Sequence, residues 1–376
     1  NMKYFNYTTG LTMINKNFEN LFGVSRRVSE NETINETHMN IAASIQVVLE
    51  EIILKIIKFI ANEYKIKNLC LAGGVALNCV ANSKIKKSKF FENIWIQPAS
   101  GDSGCAIGAG LLMWYNELKN QREVKAEDDM QGSLLGPSYD QKTIEKSLSK
   151  AGAIFEVLQE DKLISKTVNC LSSGNAIGWF QGKMEFGPRA LGSRSIIADA
   201  RSNKMQKLLN LKIKYRESFR PFAPSILKDF VSEWFEDNIE SPYMLLTSMV
   251  KKNKLLENKT LLDLKGFEKL NDIRSLIPAV THVDNSARIQ TVDSQSNPMY
   301  LKLLIAFKKK TDCPVVVNTS FNIRGEPIVC SPQDAFNCFM GTELDNLVIG
   351  NCFLIKKNQN QNLIIDYKKK FKLDKH

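Results

Sequence analysis

At 376 residues the chain exceeds one ordinary domain, so two folded bodies are expected. With 43% hydrophobic and 24% charged residues, 20 glycines and 11 prolines, the composition excludes wholesale disorder, a collagen-like repeat and a disulfide miniprotein. The 51 Lys and Arg against 40 Asp and Glu leave a formal charge of +11, which favours anionic partners such as nucleotides, acyl phosphates or nucleic acid.

In chain order, residues 40–64 place Ile41, Ile45, Val48, Leu49, Ile52, Ile53, Ile56, Ile57 and Ile60 on one stripe of helical period, predicting a long helix packed on a sheet. His38 precedes it and reads as structural. Glu50, Glu51, Lys55 and Lys58 interrupt this apolar run, so it does not predict a membrane span. No signal peptide opens the sequence, and a cytoplasmic protein is expected. An apolar strand at 68–72 leads through a Gly73-Gly74 turn to a helix ending near residue 86. A strand at 93–97 and a helix over 101–118 repeat the pattern. The polar stretch 119–137 predicts a linker between domains. Beyond it, strands at 154–158 and 176–180 around a helix at 160–172, with a buried strand at 313–318, predict a second α/β domain over 138–376.

Residues 251–275 have no clear period and read as an excursion. The Lys-rich runs at 251–259 and 356–376 read as solvated faces, because no stretch interleaves aromatic and basic residues as single-strand binders do. Nucleic acid is therefore not the expected partner. The eight cysteines contain no C-x-x-C pair and read as reduced thiols.

Four segments carry candidate chemistry. Gly73, Gly74 and Asn78 sit at a strand-to-helix turn, where backbone N–H groups approach an anion or nucleoside closely; tight packing of strand on helix is the competing use. Asp102 is either a helix cap or one ligand of a metal bridging phosphates. With only His38, His282 and His376 in the chain, any metal site is at best half present. The run from Gly182 to Ser195, with Arg189 and Arg194, is followed by Lys212, Lys214, Arg216 and Arg220. These cations either pair with Glu185 and Glu217 or await an anion, and their density favours the anion. Finally, Asn318, Ser320 and Asn322 close an apolar strand at the end where open α/β sheets bind ligands, with Arg288 a further anion contact.

The strings CLAGGVALNCVAN, FENIWIQPASGDSGCAIGAGL, GSLLGPSY, GKMEFGPRALGSRSI, KYRESFRPFAP, DNSARIQTV and VVVNTSFNIRGEPIVCSP resemble the carbamoyltransferases of nodulation-factor and antibiotic biosynthesis, over nearly the whole chain. The resemblance implies an α/β fold in two parts. A partial actin-like (ASKHA) subdomain at 1–118, the C-terminal half of a carbamoyl-transfer domain, precedes a YrdC-like twisted-sheet domain that makes carbamoyl-adenylate from carbamoyl phosphate and ATP for transfer to a hydroxyl acceptor. By the same resemblance Arg189, Lys214, Arg220, Arg288, Asn318, Ser320 and Asn322 hold carbamoyl phosphate and the ATP phosphates, with Mg²⁺ assisting. Gly73, Gly74 and Asn78 match nucleotide contacts, and Asp102 the metal aspartate. Lys183 and Ser193 stand where the pattern has Arg and Asn.

The family's opening nucleotide loop and histidine-rich metal motif have no counterpart. Fe²⁺ is thus expected only when that half is supplied, by a longer chain, a separate polypeptide or homodimer contacts. An RNA-binding or tRNA-modifying YrdC-like module and a non-catalytic scaffold subunit are the competing readings, separated by salt-sensitive RNA binding and by absent ATP–pyrophosphate exchange.

Overall fold

The structure is a computed structural model that describes residues 1–27, 32, 34–124, 128–256, 270 and 272–367. Most of the 251–275 excursion, part of the 251–259 run and everything after Tyr367 lie outside the described residues. No helix among those described is long and apolar enough to cross a membrane.

The N-terminal part comprises α1 (Lys16–Phe22), α2 (Glu36–Tyr64), β1 (Asn68–Leu71), α3 (Cys79–Ser88), β2 (Asn93–Ile96) and α4 (Gly104–Leu112). Asn35 starts α2 by accepting the His38 amide at 3.1 Å, while His38 Nδ1 accepts the Asn35 amide at 3.2 Å; His38 is structural, as expected. Strands β1 and β2 pair in parallel, Asn68 opposite Asn93, and form a sheet of their own.

That sheet covers only part of the α2 stripe, contrary to expectation. Ile57 is buried with Ile85 and Phe91, flanked by Ile53, Ile60 and Leu69, but Ile45, Val48, Ile52 and Ile56 remain exposed. Two four-residue strands, roughly 13 Å long and about 5 Å apart, are too small for a helix of 29 residues.

The C-terminal part runs through α5 (Gln141–Lys150), β3 (Glu156–Val157), α6 (Glu160–Ser172), β4 (Ile177–Phe180), β5 (Arg194–Asp199), α7 (Met205–Leu208), β6 (Ala223–Leu227), α8 (Val231–Trp234), β7 (Leu246–Met249), β8 (Ser286–Val292), α9 (Pro298–Thr311), β9 (Val315–Ser320), α10 (Pro332–Gly341), β10 (Asn346–Ile349) and β11 (Cys352–Ile355). Its nine-stranded mixed sheet has the order β3-β11-β10-β4-β5-β9-β6-β8-β7. The β4–β10 and β6–β8 pairs are parallel, the other pairs antiparallel. Helices α6 and α9 pack on each other and on β4, β5, β6 and β9, so β4 and β5 are buried along their whole length.

Two corrections follow. The segment expected as a linker is built into this body from Met130 onward: Met130 and Ser133 are buried, Phe186 N–H donates to Ser133 O at 2.7 Å, and Met184 and the 136–137 backbone exchange bonds at 2.9 Å. Moreover, the main apolar core takes in Ala76 and Ile96, so it crosses the expected boundary. The junction is polar as well. Edge strand β7 is covered by α3, where Asn82 donates to Leu245 O at 3.1 Å and Ser83 Oγ both donates to Thr247 O and accepts from its amide. Helix α3 thereby engages backbone groups that an open edge would leave unpaired.

Candidate active site

At the C-terminal end of β9 the register sets Asn318 opposite Ala223 of β6 and Ser320 opposite Ser195 of β5, while β8, beside β6, carries Arg288. A cavity of about 240 Å³ opens there. Arg189, Arg216, Arg220, Arg288, Asn318 and Ser320 are its polar side chains besides Thr319, and its lining includes no Asp or Glu.

Each arginine is placed by a different device. Arg189 lies on the β4–β5 loop, which is wound around the buried carboxylate of Glu185: its Oε1 accepts the Leu191 and Ser193 amides at 2.7 Å each, and its Oε2 accepts the Arg194 amide at 3.1 Å. Burial pushes the Glu185 carboxyl up, and these backbone donors oppose the shift. Tyr215, at φ 49°, turns the chain out of a helical stretch that ends at Lys214. Buried Asn210 then holds the next turn, donating to Ser218 O and Arg220 O at 3.1 and 2.9 Å and accepting from Arg216 Nε at 2.7 Å. Met244 also lines the cavity and is left-handed, at φ 56°. Non-glycine residues held in that region cost about 1–3 kcal/mol and cluster at functional sites.

The electrostatics are one-sided. Burial, then the charges of Arg189 and Arg216, push Arg288 down to about 10; burial and Arg220 do the same to Arg216. Burial lowers Arg189, and a Cβ added at Gly187, two residues before it, would sit 3.3 Å from Pro98 O, so the N-terminal part packs against the loop that carries it. Arg220 alone of the four has an ion pair among the described residues, with Glu217 at 2.9 Å. Arg189 Nε and Asn318 Oδ1 are buried without a hydrogen-bond partner, although Asn318 Nδ2 donates to Gln290 Oε1 at 2.8 Å. Clustered guanidinium groups with an orphaned donor are costly unless an anion completes them, and the orphaned Asn318 oxygen calls for an N–H or O–H beside that anion.

Other expected residues lie elsewhere. Lys214 is fully buried and outside the cavity lining. Its Nζ donates to the carbonyl and hydroxyl of Ser320 and to the carbonyl and Oδ1 of Asn322, so Lys214 and Asn322 fasten the strand end and are not open to a phosphate. Arg194 is likewise internal: its guanidinium lies 3.5 Å over the Phe180 ring and donates to the carbonyls of Pro137, Gln181, Gly182 and Ser193. Gly73, Gly74, Asn78 and Asp102 belong to the N-terminal part and do not line the cavity. Gly73 and Gly74 are exposed. Asn78 caps α3 through the Ala81 amide at 3.1 Å and pairs with Gln46. Asp102 is exposed, and among the described residues no three His, Cys, Asp or Glu side chains gather into a metal-sized cluster. Those residues therefore do not fit an iron centre.

Sequence reasoning noticed Arg216 in its basic run but did not select it, and weighed Glu185 only as the less favoured partner for an arginine, not as a holder of backbone amides. The Arg-Glu-Ser-Phe-Arg spacing signals the former; a carboxylate followed within nine residues by two glycines and a proline signals the latter.

Comparison with known proteins completes the site's context. The family described as "Carbamoyltransferase C-terminus" matches residues 168–357, and "Carbamoyltransferase N-terminus" matches residues 1–111. The chain is 53% identical over 364 residues to the uncharacterized protein sll1178 of Synechocystis sp., covering 96% of this chain and 59% of that one. It is 39% identical to nodulation protein NolNO of Sinorhizobium fredii and 38% identical to nodulation protein NolO of Bradyrhizobium diazoefficiens, each match covering 86% of this chain and 44% or 55% of the relative. The chain thus spans about half the length of the curated relatives it matches. The solved structure of full-length HypF aligns over 51% of the chain at 15% identity and a TM-score of 0.32, too slight a likeness to fix the fold. The family matches over residues 1–111 and 168–357 establish that the chain belongs to the carbamoyltransferase family.

Proposed function

We propose that this chain makes carbamoyl-adenylate from carbamoyl phosphate and ATP, as the C-terminal part of an enzyme that carbamoylates a hydroxyl. On this reading residues 138–376 form a YrdC-like body and residues 1–118 part of an actin-like one. The observation that carries the proposal is the acid-free cavity with four arginines, an orphaned Arg189 Nε and an orphaned Asn318 Oδ1. Its volume falls below that of a drug-sized pocket and suits phosphate groups rather than a whole nucleotide, so adenosine would lie outside it.

Water cleaves carbamoyl phosphate into carbamate and phosphate. A carbamate oxygen then attacks the α-phosphorus of ATP, forming an O–P bond as the bond to pyrophosphate breaks. Both steps crowd negative charge, which fixed guanidinium groups stabilise without reorganisation. Arg189, Arg216, Arg220 and Arg288 take the phosphates and Asn318 Oδ1 accepts from the carbamoyl N–H, while Ser320, whose hydroxyl proton goes to Asn322 Oδ1, lines the cavity wall. Lys214 and Asn322 act through the strand end they hold. Mg²⁺ would enter with the nucleotide's own phosphates, since the lining has no carboxylate for it.

The test is carbamoyl-phosphate-dependent exchange of labelled pyrophosphate into ATP by the chain alone; no exchange by the folded chain sinks the proposal. Transfer to the acceptor is assigned to a complete enzyme, in which the exposed apolar face of residues 1–118 is covered by a second copy or by a polypeptide carrying the other half. Acceptor transfer should appear on adding the N-terminal half of a family member. Transfer by this chain alone would refute that division.

A further inference from the structure

A path of hydrogen bonds leads from the C-terminal segment to the cavity. Tyr367, 2% exposed, donates its hydroxyl to Glu326 Oε1 at 2.7 Å. Glu326 Oε2 accepts the Ile323 amide at 3.0 Å, and its carbonyl accepts from Asn322 Nδ2 at 2.6 Å. Asn322 Oδ1 in turn accepts from Ser320 Oγ at 2.6 Å and from Lys214 Nζ at 2.8 Å, and Ser320 lines the cavity. A second path starts from the same ring. A Cβ added at Gly341 would sit 2.2 Å from Tyr367 Cδ2, so the tyrosine packs directly on that glycine. The Gly341 carbonyl accepts the Tyr215 hydroxyl at 3.1 Å, and Tyr215 is the left-handed residue between Lys214 and Arg216. Tyr367 lies beyond the segment matched by the family, which ends at residue 357.

We propose that Tyr367 is a positioning residue, a strap that locks the 320–323 strand end and the 214–216 turn against each other and so sets the spacing of Ser320 and Arg216 around a bound anion. The proposal rests on the anion reading of the cavity. Neither path is long: Tyr367 reaches Ser320 through Glu326 and Asn322, and reaches Tyr215 through Gly341. Removing the hydroxyl leaves Glu326 a free acceptor, lets Asn322 and Lys214 loosen together and admits water. Lys214 is faced by Glu326 and Cys338 across the network and by Arg216 on its own turn, and burial, its largest influence, pushes it down to about 7. A wetter shell moves it back up.

The test uses the full chain with inorganic pyrophosphate as probe. Tyr367→Phe, which keeps the ring, should weaken pyrophosphate binding roughly three- to tenfold, the size of one buried hydrogen bond. It should also speed hydrogen exchange at the Ile323 amide about tenfold and shift the pH at which binding declines upward. Gly341→Ala, which displaces the ring while leaving every hydrogen-bonding group present, should do the same. Unchanged exchange at residues 321–323 in both variants overturns the strap. Faster exchange with unchanged affinity and pH profile also overturns it, by reducing Tyr367 to an anchor for the chain end. If the wild type binds no pyrophosphate, the anion reading fails and the strap falls with it, an outcome distinct from a wild type that binds and variants that bind equally well.

Discussion

Among the arginines, partnership decides what each is worth. Arg288 is partly buried, lacks an ion pair among the described residues and is pushed down to about 10 by desolvation and its neighbours' charges, whereas half-exposed Arg220 already pairs with Glu217. Arg288→Ala should therefore cost about 1.5–3 kcal/mol of pyrophosphate binding, roughly one to two decades, and at the same time raise the melting temperature of the ligand-free chain. Arg220→Ala should weaken binding less. Titration calorimetry and thermal melts check both; equal losses would mean that the Glu217 pair does not compete with the anion.

Lys214 makes a pH prediction. The unfolded chain holds that proton up to about 10.4, while in the fold burial pushes the group down to about 7 against four oxygen acceptors that favour the ammonium. Between those values the unfolded state binds more protons, so this lysine's contribution to stability rises with pH. The urea midpoint of the wild type should gain on that of Lys214→Met from pH 7 to 9.5. A constant difference would mean that the acceptors keep the ammonium charged.

At the scale of elements, the β4–β5 loop and the α3–β7 junction carry the site. Glu185→Ala orphans three buried amides, at about 1–3 kcal/mol for each not rescued by water. It should lower the melting temperature by several degrees and weaken pyrophosphate binding, because Arg189 rides on that loop. Glu185→Gln keeps one acceptor and should fall between. Loss of stability with binding intact would show that Arg189 is placed by something else. Across the junction, Asn82→Ala strips hydrogen bonds from the Ala76 and Leu245 carbonyls and should cost about 1–3 kcal/mol, read from urea unfolding. Leu245 adjoins Met244, which lines the cavity, so that variant should also bind pyrophosphate less well.

For the molecule as a whole, the unusual feature is the apolar surface of its N-terminal part. Ile45, Val48, Ile52 and Ile56 of α2 are exposed together with Leu111 and Leu112 of α4 and with Trp114 just beyond it. The α2 residues lie at helical spacing on one face, and a contiguous apolar strip of this kind marks an interface or an aggregation liability. The chain at tens of micromolar is expected to sediment as more than a monomer, and the pair Ile52→Lys and Ile56→Lys to return it to a monomer with pyrophosphate binding unchanged. A monodisperse monomer in the unaltered chain would show that the face is tolerated in water.

Local rules were enough to read the α/β alternation, helices α2 and α6 and the strand that runs into Asn318, because apolar period is written in contiguous residues. The family resemblance, also a property of contiguous strings, picked out Arg189, Arg220, Arg288, Asn318 and Ser320, all of which meet at one cavity. Which cations face a ligand and which are consumed inside was settled only by tertiary structure. Arg189, Arg194, Lys214 and Arg216 look alike in a basic run, yet Arg194 stacks under Phe180 and Lys214 is enclosed by oxygens from residues more than a hundred positions away. Burial and hydrogen bonding are long-range quantities, and a sequence displays only its neighbours. The same holds for the α2 stripe, whose period announces a buried face but not how much sheet there is to bury it.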